Sequence, residues 1–357
     1  MIGPRASFLG VVLTMIVVRF QTFATSKRLM YVWNKEFRAR DDTCGIEEAK
    51  TEQPASCFES VRAERLSRAC KRADVDRVLY SFPQDALERC DDNVIETLRT
   101  LHGNGVKIYQ LYAASTPSFP EIEMVSHVST FNEKCAKDET ETFDGVAVNN
   151  EAFQKCCDET CDSDAIQRMV SFVNSVRLAR DRARPLPFHF SIAWHWGVCG
   201  PNNDPLTVTY EGVTQSVTKH LIDIADSTDV QVAWSEATEM VRRAKIAGYD
   251  RVREDGTYFV LAYTNAVPND DCRLTFFPYE TACAVGESTE RGLFSELSKI
   301  EAALPHASGG IHYYSNAYFS GLPGWGCSKQ LRHGIEGNRK EDDTQAPLLS
   351  SGVGSGF

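Results

Sequence analysis

The stretch from residue 143 to residue 196 reads as strand, helix and strand: FDGVAVNN (143–150), AIQRMVSFVNSVRLARDRAR (165–184) and PFHFSIAWHW (187–196). The first and last segments are short, apolar and rich in β-branched and aromatic residues, which favours buried strands. In the middle segment the apolar residues recur close to the helical period. A strand, a crossover helix and a second strand predict two parallel neighbours in one sheet.

The same alternation occurs eight times along the chain. The strand candidates are Leu29–Trp33, Arg77–Phe82, Val106–Tyr112, Phe143–Asn150, Pro187–Trp196, Val230–Ser235, Tyr258–Asn265 and Gly309–Tyr314. The helical patterns between them include Phe58–Ala73, Asn93–Gly103, Ala165–Arg184, Glu211–Asp226 and Thr289–Leu304.

Eight such units predict an α/β protein with a single (β/α)8 TIM barrel. An open doubly wound sheet is the alternative fold. No G-x-G-x-x-G follows the first strand, so a dinucleotide site has no support and we expect no cofactor.

The 357 residues carry a formal net charge of −11. This charge disfavours nucleic acid and anionic membrane surfaces, which attract clustered Lys and Arg. We therefore expect neither as a partner.

The N-terminus has the features of a secretory signal peptide over residues 1–24. Arg5 precedes an apolar run of about 13 residues, and Thr22-Phe23-Ala24 offers small residues for cleavage. An uncleaved signal anchor is the alternative. The run is shorter than the ~20 residues of a spanning helix, so we expect cleavage, no stable membrane insertion, and a secreted or secretory-lumen protein.

Twelve cysteines follow the signal segment. An even, high count in a secreted chain predicts disulfides that staple the loops. The cluster Cys156-Cys157-x-x-x-Cys161 is also open to interpretation as a metal site, but it lacks a second pair at zinc spacing. We place the barrel at 25–332 and a flexible polar tail at 333–357, where apolar residues are too few for a core.

The fourth predicted strand ends in Ala147-Val148-Asn149-Asn150-Glu151. Side chains alternate along a strand, so Ala147, Asn149 and Glu151 share one face. Active sites of TIM barrels lie at the carboxyl ends of the strands, which puts an amide and a carboxyl at the barrel mouth. A Glu at that position can act as a general acid.

This strand resembles the fourth strand of family 18 glycoside hydrolases (chitinases and relatives), whose motif is D-G-x-D-x-D-x-E. Asp144, Gly145 and Glu151 match, whereas Ala147 and Asn149 replace aspartates. The Asn-x-Glu ending is also similar to that of family 85 endo-β-N-acetylglucosaminidases.

The resemblance implies that Glu151 protonates the leaving glycosidic oxygen. It implies that Asn149 holds the 2-acetamido group of the substrate, whose carbonyl attacks the anomeric carbon. In the eighth strand, Tyr314 takes the aromatic position of Gly-Gly-x-Met-x-Trp, and His312 replaces the Met. In the sixth strand, Glu236 takes the place of the Asp in Met-x-Tyr-Asp.

Further strand-end residues complete the expected substrate site: His195, Trp196, Tyr112 and Asn265. His195 is expected on the interior face near the mouth, and His189, lower in the same strand, as a hydrogen-bonded core residue. Trp194 and Trp234 are expected to pack outside the barrel.

These features predict a secreted retaining glycosidase that acts on glycans containing N-acetylhexosamine. One alternative is a non-catalytic, lectin-like barrel that binds an oligosaccharide. Another is a metal-dependent hydrolase with His195, His312, Glu151 and Glu236 around one ion, although no H-x-H or H-E-x-x-H spacing supports it.

Overall fold

The computed structural model is a closed barrel of eight parallel strands. It describes residues 27–33, 55–114, 118–151, 163–199, 204–252, 257–264, 273–276 and 290–312. The predicted signal segment, the cluster Cys156–Cys161 and the tail 333–357 lie outside the described residues. The predicted (β/α)8 fold is confirmed.

The barrel strands and a two-stranded hairpin are numbered together in chain order. They are β1 Arg28–Trp33, β2 Val75–Ser81, β3 Lys107–Ala114, β4 Gly145–Asn150, β5 Phe188–Ala193, β6 Thr207–Tyr210, β7 Val213–Ser216, β8 Ser227–Val232, β9 Thr257–Tyr263 and β10 Ala307–His312. Neighbours around the barrel follow the order β1-β10-β9-β8-β5-β4-β3-β2, and β6 pairs with β7 in an antiparallel hairpin.

Helices connect successive strands, as expected for right-handed crossovers. They are α1 Ala55–Ala73, α2 Gln84–Glu88, α3 Asp92–His102, α4 Glu121–Met124, α5 Ser126–Lys134, α6 Ser163–Ala183, α7 Val217–Ile224, α8 Ala237–Ile246 and α9 Glu290–Ala303. In the part of the chain that the structure describes, no helix is both long and apolar enough to cross a bilayer.

The core has two layers, which follow from side-chain alternation in the strands. The larger layer lies between strands and helices and includes Val146, Val148, Phe190 and Phe172. The smaller layer fills the barrel interior: Leu29, Tyr31, Leu79, Tyr109, Leu111, Ala147, Phe259 and Leu261. Odd-numbered residues of β4 therefore face inward and even-numbered residues face the helices.

The sixth predicted strand and the fourth predicted helix differ from the structure. The sixth barrel strand is Ser227–Val232 rather than Val230–Ser235, because its inward residues are polar and find partners inside the barrel. The predicted helix 211–226 begins with the hairpin strand β7, and α7 starts at Val217. The hairpin turn at Glu211 and Gly212 has positive φ at both residues, which a helix excludes.

Disulfides staple the described part of the chain, as expected. Cys90, just after α2, pairs with Cys135, which follows α5. Cys199 is also disulfide-bonded. Cys70 in α1 is a free, buried thiol whose pKa is raised by burial.

Gly197→Ala is expected to lower the free energy of unfolding by about 1–3 kcal/mol, the range for overpacked cores. A Cβ at residue 197 would lie 2.3 Å from the carbonyl oxygen of Ile246, so the C-terminal end of α8 has to shift. Urea titration of the variant measures the loss. Gly103→Ala is the control, since its added Cβ would lie 3.2 Å from the nearest atom, and a loss as large in the control would contradict the steric cause.

Candidate functional site

The carboxyl end of β4 carries the two residues that the sequence predicts for the site. Asn149 is buried and Glu151 is partly exposed. The Asn149 Nδ2 atom donates to Glu151 Oε1 at 3.1 Å, so both side chains lie on the same side of the strand. The backbone of Glu151 is fixed by a hydrogen bond from its N–H to the carbonyl of Ala114 at the end of β3.

The outward residue between them anchors the end of the strand from the other side. Asn150 Nδ2 donates to the two carboxyl oxygens of Glu121 at 3.2 and 3.1 Å. Both side chains are fully buried, and burial raises the pKa of Glu121. The strand end is therefore held from inside and from outside the barrel.

Asn149 is itself fixed by a hydrogen-bonded chain of two residues from β8 and β9. Gln231 of β8 donates from Nε2 to Asn149 Oδ1 at 2.9 Å. Tyr263, the last residue of β9, donates its hydroxyl to Gln231 Oε1 at 2.9 Å. These four residues, Tyr263, Gln231, Asn149 and Glu151, form what we call the mouth relay.

His312 lies next to the mouth relay, at the end of β10. Its ring stacks on Tyr263 with centroids 4.3 Å apart, and it lies 5.0 Å from the ring of Tyr31. Burial lowers the pKa of His312 to about 3, so the ring is neutral at physiological pH. The neutral imidazole therefore packs against Tyr263 and Tyr31 as an aromatic ring and carries no positive charge.

His312→Gln is expected to make the free energy of unfolding less dependent on pH in the acidic range. As the pH falls from about 6.5 towards 3, the unfolded chain binds a proton at His312 that the folded chain excludes, so stability is lost in this window. Removing the group reduces the slope by up to about 1.4 kcal/mol per pH unit. Urea titrations at several pH values test this against exposed His306→Gln, and a wild-type slope in His312→Gln would contradict it.

Below the mouth relay, the barrel interior contains a second polar cluster, centred on Asp229 of β8. Its Oδ1 atom accepts from the Tyr31 hydroxyl at 2.8 Å, from Ser191 at 2.9 Å and from His189 Nε2 at 2.6 Å. Oδ2 has no hydrogen-bond partner among the described residues. Burial lowers the pKa of His189 and raises that of Tyr31, so both are held neutral.

The polar cluster continues to the bottom of the barrel. His189 Nδ1 lies 2.8 Å from the Ser227 hydroxyl, which accepts from Arg77 at 2.9 Å. The Arg77 guanidinium lies over the rings of Tyr109 and Phe259. His189 is thus the hydrogen-bonded core residue that the sequence predicts. The contacts of this polar cluster stabilise the barrel interior.

Three predicted binding residues are not brought to the mouth relay. Tyr112 points from β3 into the layer between strands and helices. Trp196 is 1% exposed and packs edge-to-face on Phe172 of α6, so no face of its ring is open to a sugar. β5 ends at Ala193, and His195 lies in the 3-10 helix that follows, so it no longer obeys the alternation of the strand. The His195 ring packs edge-to-face with the rings of Trp194 and Trp196.

Glu236 is exposed at the start of α8, four residues beyond the end of β8. The predicted strand was three residues too late, which made Glu236 look like a strand-end carboxylate. Asn265 and Tyr314 lie outside the described residues. Among the described residues, no group of three or more His, Cys, Asp or Glu side chains is placed to hold a metal ion, and no contact unites the four residues of the metal hypothesis.

Trp194 and Trp234 pack outside the barrel, as expected. Each indole lies 4.2 Å from the guanidinium of Arg243 in α8, which is sandwiched between them. Arg243 also donates to Glu239 at 2.8 Å. This cation-π contact fixes the loops that follow β5 and β8 against α8.

Sequence reasoning missed Asp229 and Gln231. The signal was present, since Ser227, Asp229 and Gln231 are polar at every second position. A search for apolar runs passes over such a strand. Polar residues with period two indicate a strand whose inward face is hydrogen-bonded.

No protein-family model and no curated protein matches this chain. Solved structures that are similar to it include a GH18 chitinase from Pseudoalteromonas aurantia. The two sequences are 12% identical, the match covers 72% of this chain and 91% of that chain, and the TM-score is 0.43. A GH113 β-1,4-mannanase has 11% identity, coverages of 81% and 88%, and a TM-score of 0.46. An endo-β-N-acetylglucosaminidase from Cordyceps militaris has 9% identity, coverages of 80% and 81%, and a TM-score of 0.38.

The similar structures therefore include a chitinase and an endo-β-N-acetylglucosaminidase, the two kinds of enzyme that residues 144–151 resemble. Identities near 10% and TM-scores below 0.5 carry no argument about substrate or mechanism. The function has to be argued from the site itself.

Proposed function

We propose that this chain is a secreted glycoside hydrolase that acts on glycans containing N-acetylhexosamine, with Glu151 as the general acid. The observation that carries the proposal is the hydrogen bond from Asn149 to Glu151 at the carboxyl end of β4. It places an oriented carboxyl, partly open to solvent, where TIM barrels carry their active sites. The ring of Tyr263, which is partly exposed at the same end of the barrel, suits the apolar face of a sugar.

The proposed reaction uses the substrate as its own nucleophile. Because Asn149 donates to Oε1, the transferable proton of Glu151 is favoured on Oε2. Glu151 gives this proton to the glycosidic oxygen as the bond to the anomeric carbon breaks, and the acetamido carbonyl oxygen bonds to that carbon. Water then opens the cyclic intermediate, returning a proton to Glu151, and the configuration is retained.

A non-catalytic sugar-binding barrel is the second candidate, and Ala147 is the observation that favours it. This residue faces inward one pleat below Asn149 and has no carboxyl to assist the reaction. In that case the mouth relay would bind sugar hydroxyls and the Glu151 carboxyl would accept from them.

Assays of the wild-type protein on chito-oligosaccharides and N-glycopeptides test the proposal. Cello-oligosaccharides are the matched substrates that lack the acetamido group. Reducing-end release and calorimetric binding are measured in parallel. Turnover of the N-acetylated substrates alone supports the hydrolase. Binding without turnover supports the second candidate, and neither binding nor turnover contradicts both.

A further inference from the structure

The hydrogen bonds of the mouth relay all run in one direction. Tyr263 donates to Gln231, Gln231 donates to Asn149, and Asn149 donates to Glu151. The three donors belong to β9, β8 and β4, and β5 lies between β8 and β4, so the relay spans four consecutive strands of the barrel. Its acceptor end is the carboxyl to which we assign the chemistry.

The two amides are held in this direction by their neighbours. Glu151 Oε1 accepts whether the carboxyl is ionised or carries its proton on Oε2, so Asn149 turns its N–H towards this oxygen and its own oxygen towards Gln231. Gln231 must then offer an N–H to Asn149, which leaves its oxygen to accept from Tyr263. A reversed Gln231 would place two carbonyl oxygens face to face in the buried interior, and a reversed Asn149 would do so at Glu151.

The donor end of the relay is anchored by packing. Tyr263 is opposite His312 in the register of β9 and β10, and the two rings lie nearly parallel, with 26° between their planes. His312 in turn contacts the ring of Tyr31, whose hydroxyl is bound to Asp229. The Tyr263 hydroxyl is therefore held at a fixed place on β9, three strands from β4 around the barrel.

We propose that Gln231 and Tyr263 are positioning residues that fix the Asn149 amide and, through it, the Glu151 carboxyl. The inference rests on the proposed function of Glu151. In the relay Gln231 binds Asn149 directly and Tyr263 binds Gln231, so both reach Glu151 through Asn149. The prediction is a loss of kcat with little change in KM, because the substrate-binding surface is kept while the acid is displaced.

Gln231→Glu tests the direction of the relay at nearly constant shape. The ionised side chain has no hydrogen to give to Asn149, so Asn149 reverses and turns its oxygen on Glu151. We expect kcat to fall at least about 10-fold at pH 7, with KM within about threefold. A protonated Glu donates an O–H, so the kcat ratio of variant to wild type should rise as the pH falls from 7 to about 4.

The titratable groups around residue 231 are Glu151, Tyr263 and His312 at the mouth and Asp229 and Tyr31 below it. The new carboxylate also changes the electrostatic field at these groups, so the pH dependence of Gln231→Glu is interpreted together with Tyr263→Phe. Tyr263→Phe adds no charge, and a lower kcat in both variants assigns the effect to the relay.

Tyr263→Phe keeps the ring that stacks on His312 and removes only the hydroxyl. We expect a kcat about 3- to 10-fold lower, which is the cost of one neutral hydrogen bond, at all pH values. Gln167→Glu on the exposed face of α6 and Tyr210→Phe on the hairpin are the matched controls, expected within twofold of wild type. If Gln231→Glu fails to fold, Tyr263→Phe decides alone.

If both relay variants have the same kcat and KM as the wild type, the positioning role is overturned. If the wild type neither binds nor cleaves glycans, the proposed function fails and the relay is tested separately by NMR. The side-chain amide signals of Asn149 should then shift in Gln231→Glu and Tyr263→Phe but not in the two controls. Unshifted signals in the relay variants would overturn the relay itself.

Discussion

Glu151→Gln is expected to lower kcat on N-acetylated oligosaccharides by a factor of about 10² or more, while sugar binding stays within about threefold. The substitution replaces one carboxyl oxygen by an amide nitrogen of nearly the same size. The remaining oxygen still accepts the hydrogen bond from Asn149 Nδ2. What is lost is the proton that the leaving glycosidic oxygen receives, so the effect falls on the chemical step and not on binding.

Glu133→Gln is the control for Glu151→Gln. Glu133 is exposed on α5, so the same change of charge and shape there should leave kcat unchanged. Steady-state kinetics and calorimetric binding are measured for wild type and both variants. Full turnover by Glu151→Gln would exclude Glu151 as the acid, whatever the substrate.

Asp229→Ala is expected to lower the free energy of unfolding by about 3 kcal/mol or more. Asp229 Oδ1 is the common acceptor for His189, Tyr31 and Ser191, and all four side chains are buried in the barrel interior. The alanine leaves these donors without their acceptor and opens a cavity at the centre of the fold. Both effects act in the same direction.

Asp229→Asn separates the two effects, because its Oδ1 still accepts while the volume is kept. We expect a loss of about 1 kcal/mol for this variant. Asp204→Ala, at an exposed position, is the control and should unfold like wild type. Urea titrations followed by circular dichroism give the free energies, and a loss below about 1 kcal/mol for Asp229→Ala would contradict the central role of this carboxyl.

The sequence by itself determined the fold class and the face of β4. Alternating apolar strands and helix-period segments predict the eight-stranded barrel, because each periodicity follows from local backbone geometry. The two-residue repeat also predicts that Asn149 and Glu151 share a face, and the hydrogen bond between them confirms it. These are relations between residues a few positions apart on one element.

Tertiary structure decided which residues from other strands meet them. Closure of the barrel sets the order and register of β8, β9 and β10 and so brings Gln231, 82 residues from Asn149 in sequence, and Tyr263 to the site. It also turned Tyr112 and Trp196 towards the helices and placed Glu236 beyond the end of β8, directly before α8. A strand pattern gives two faces but does not say which one is interior when both are buried. Only packing against the helices and hydrogen bonding inside the barrel settle that choice.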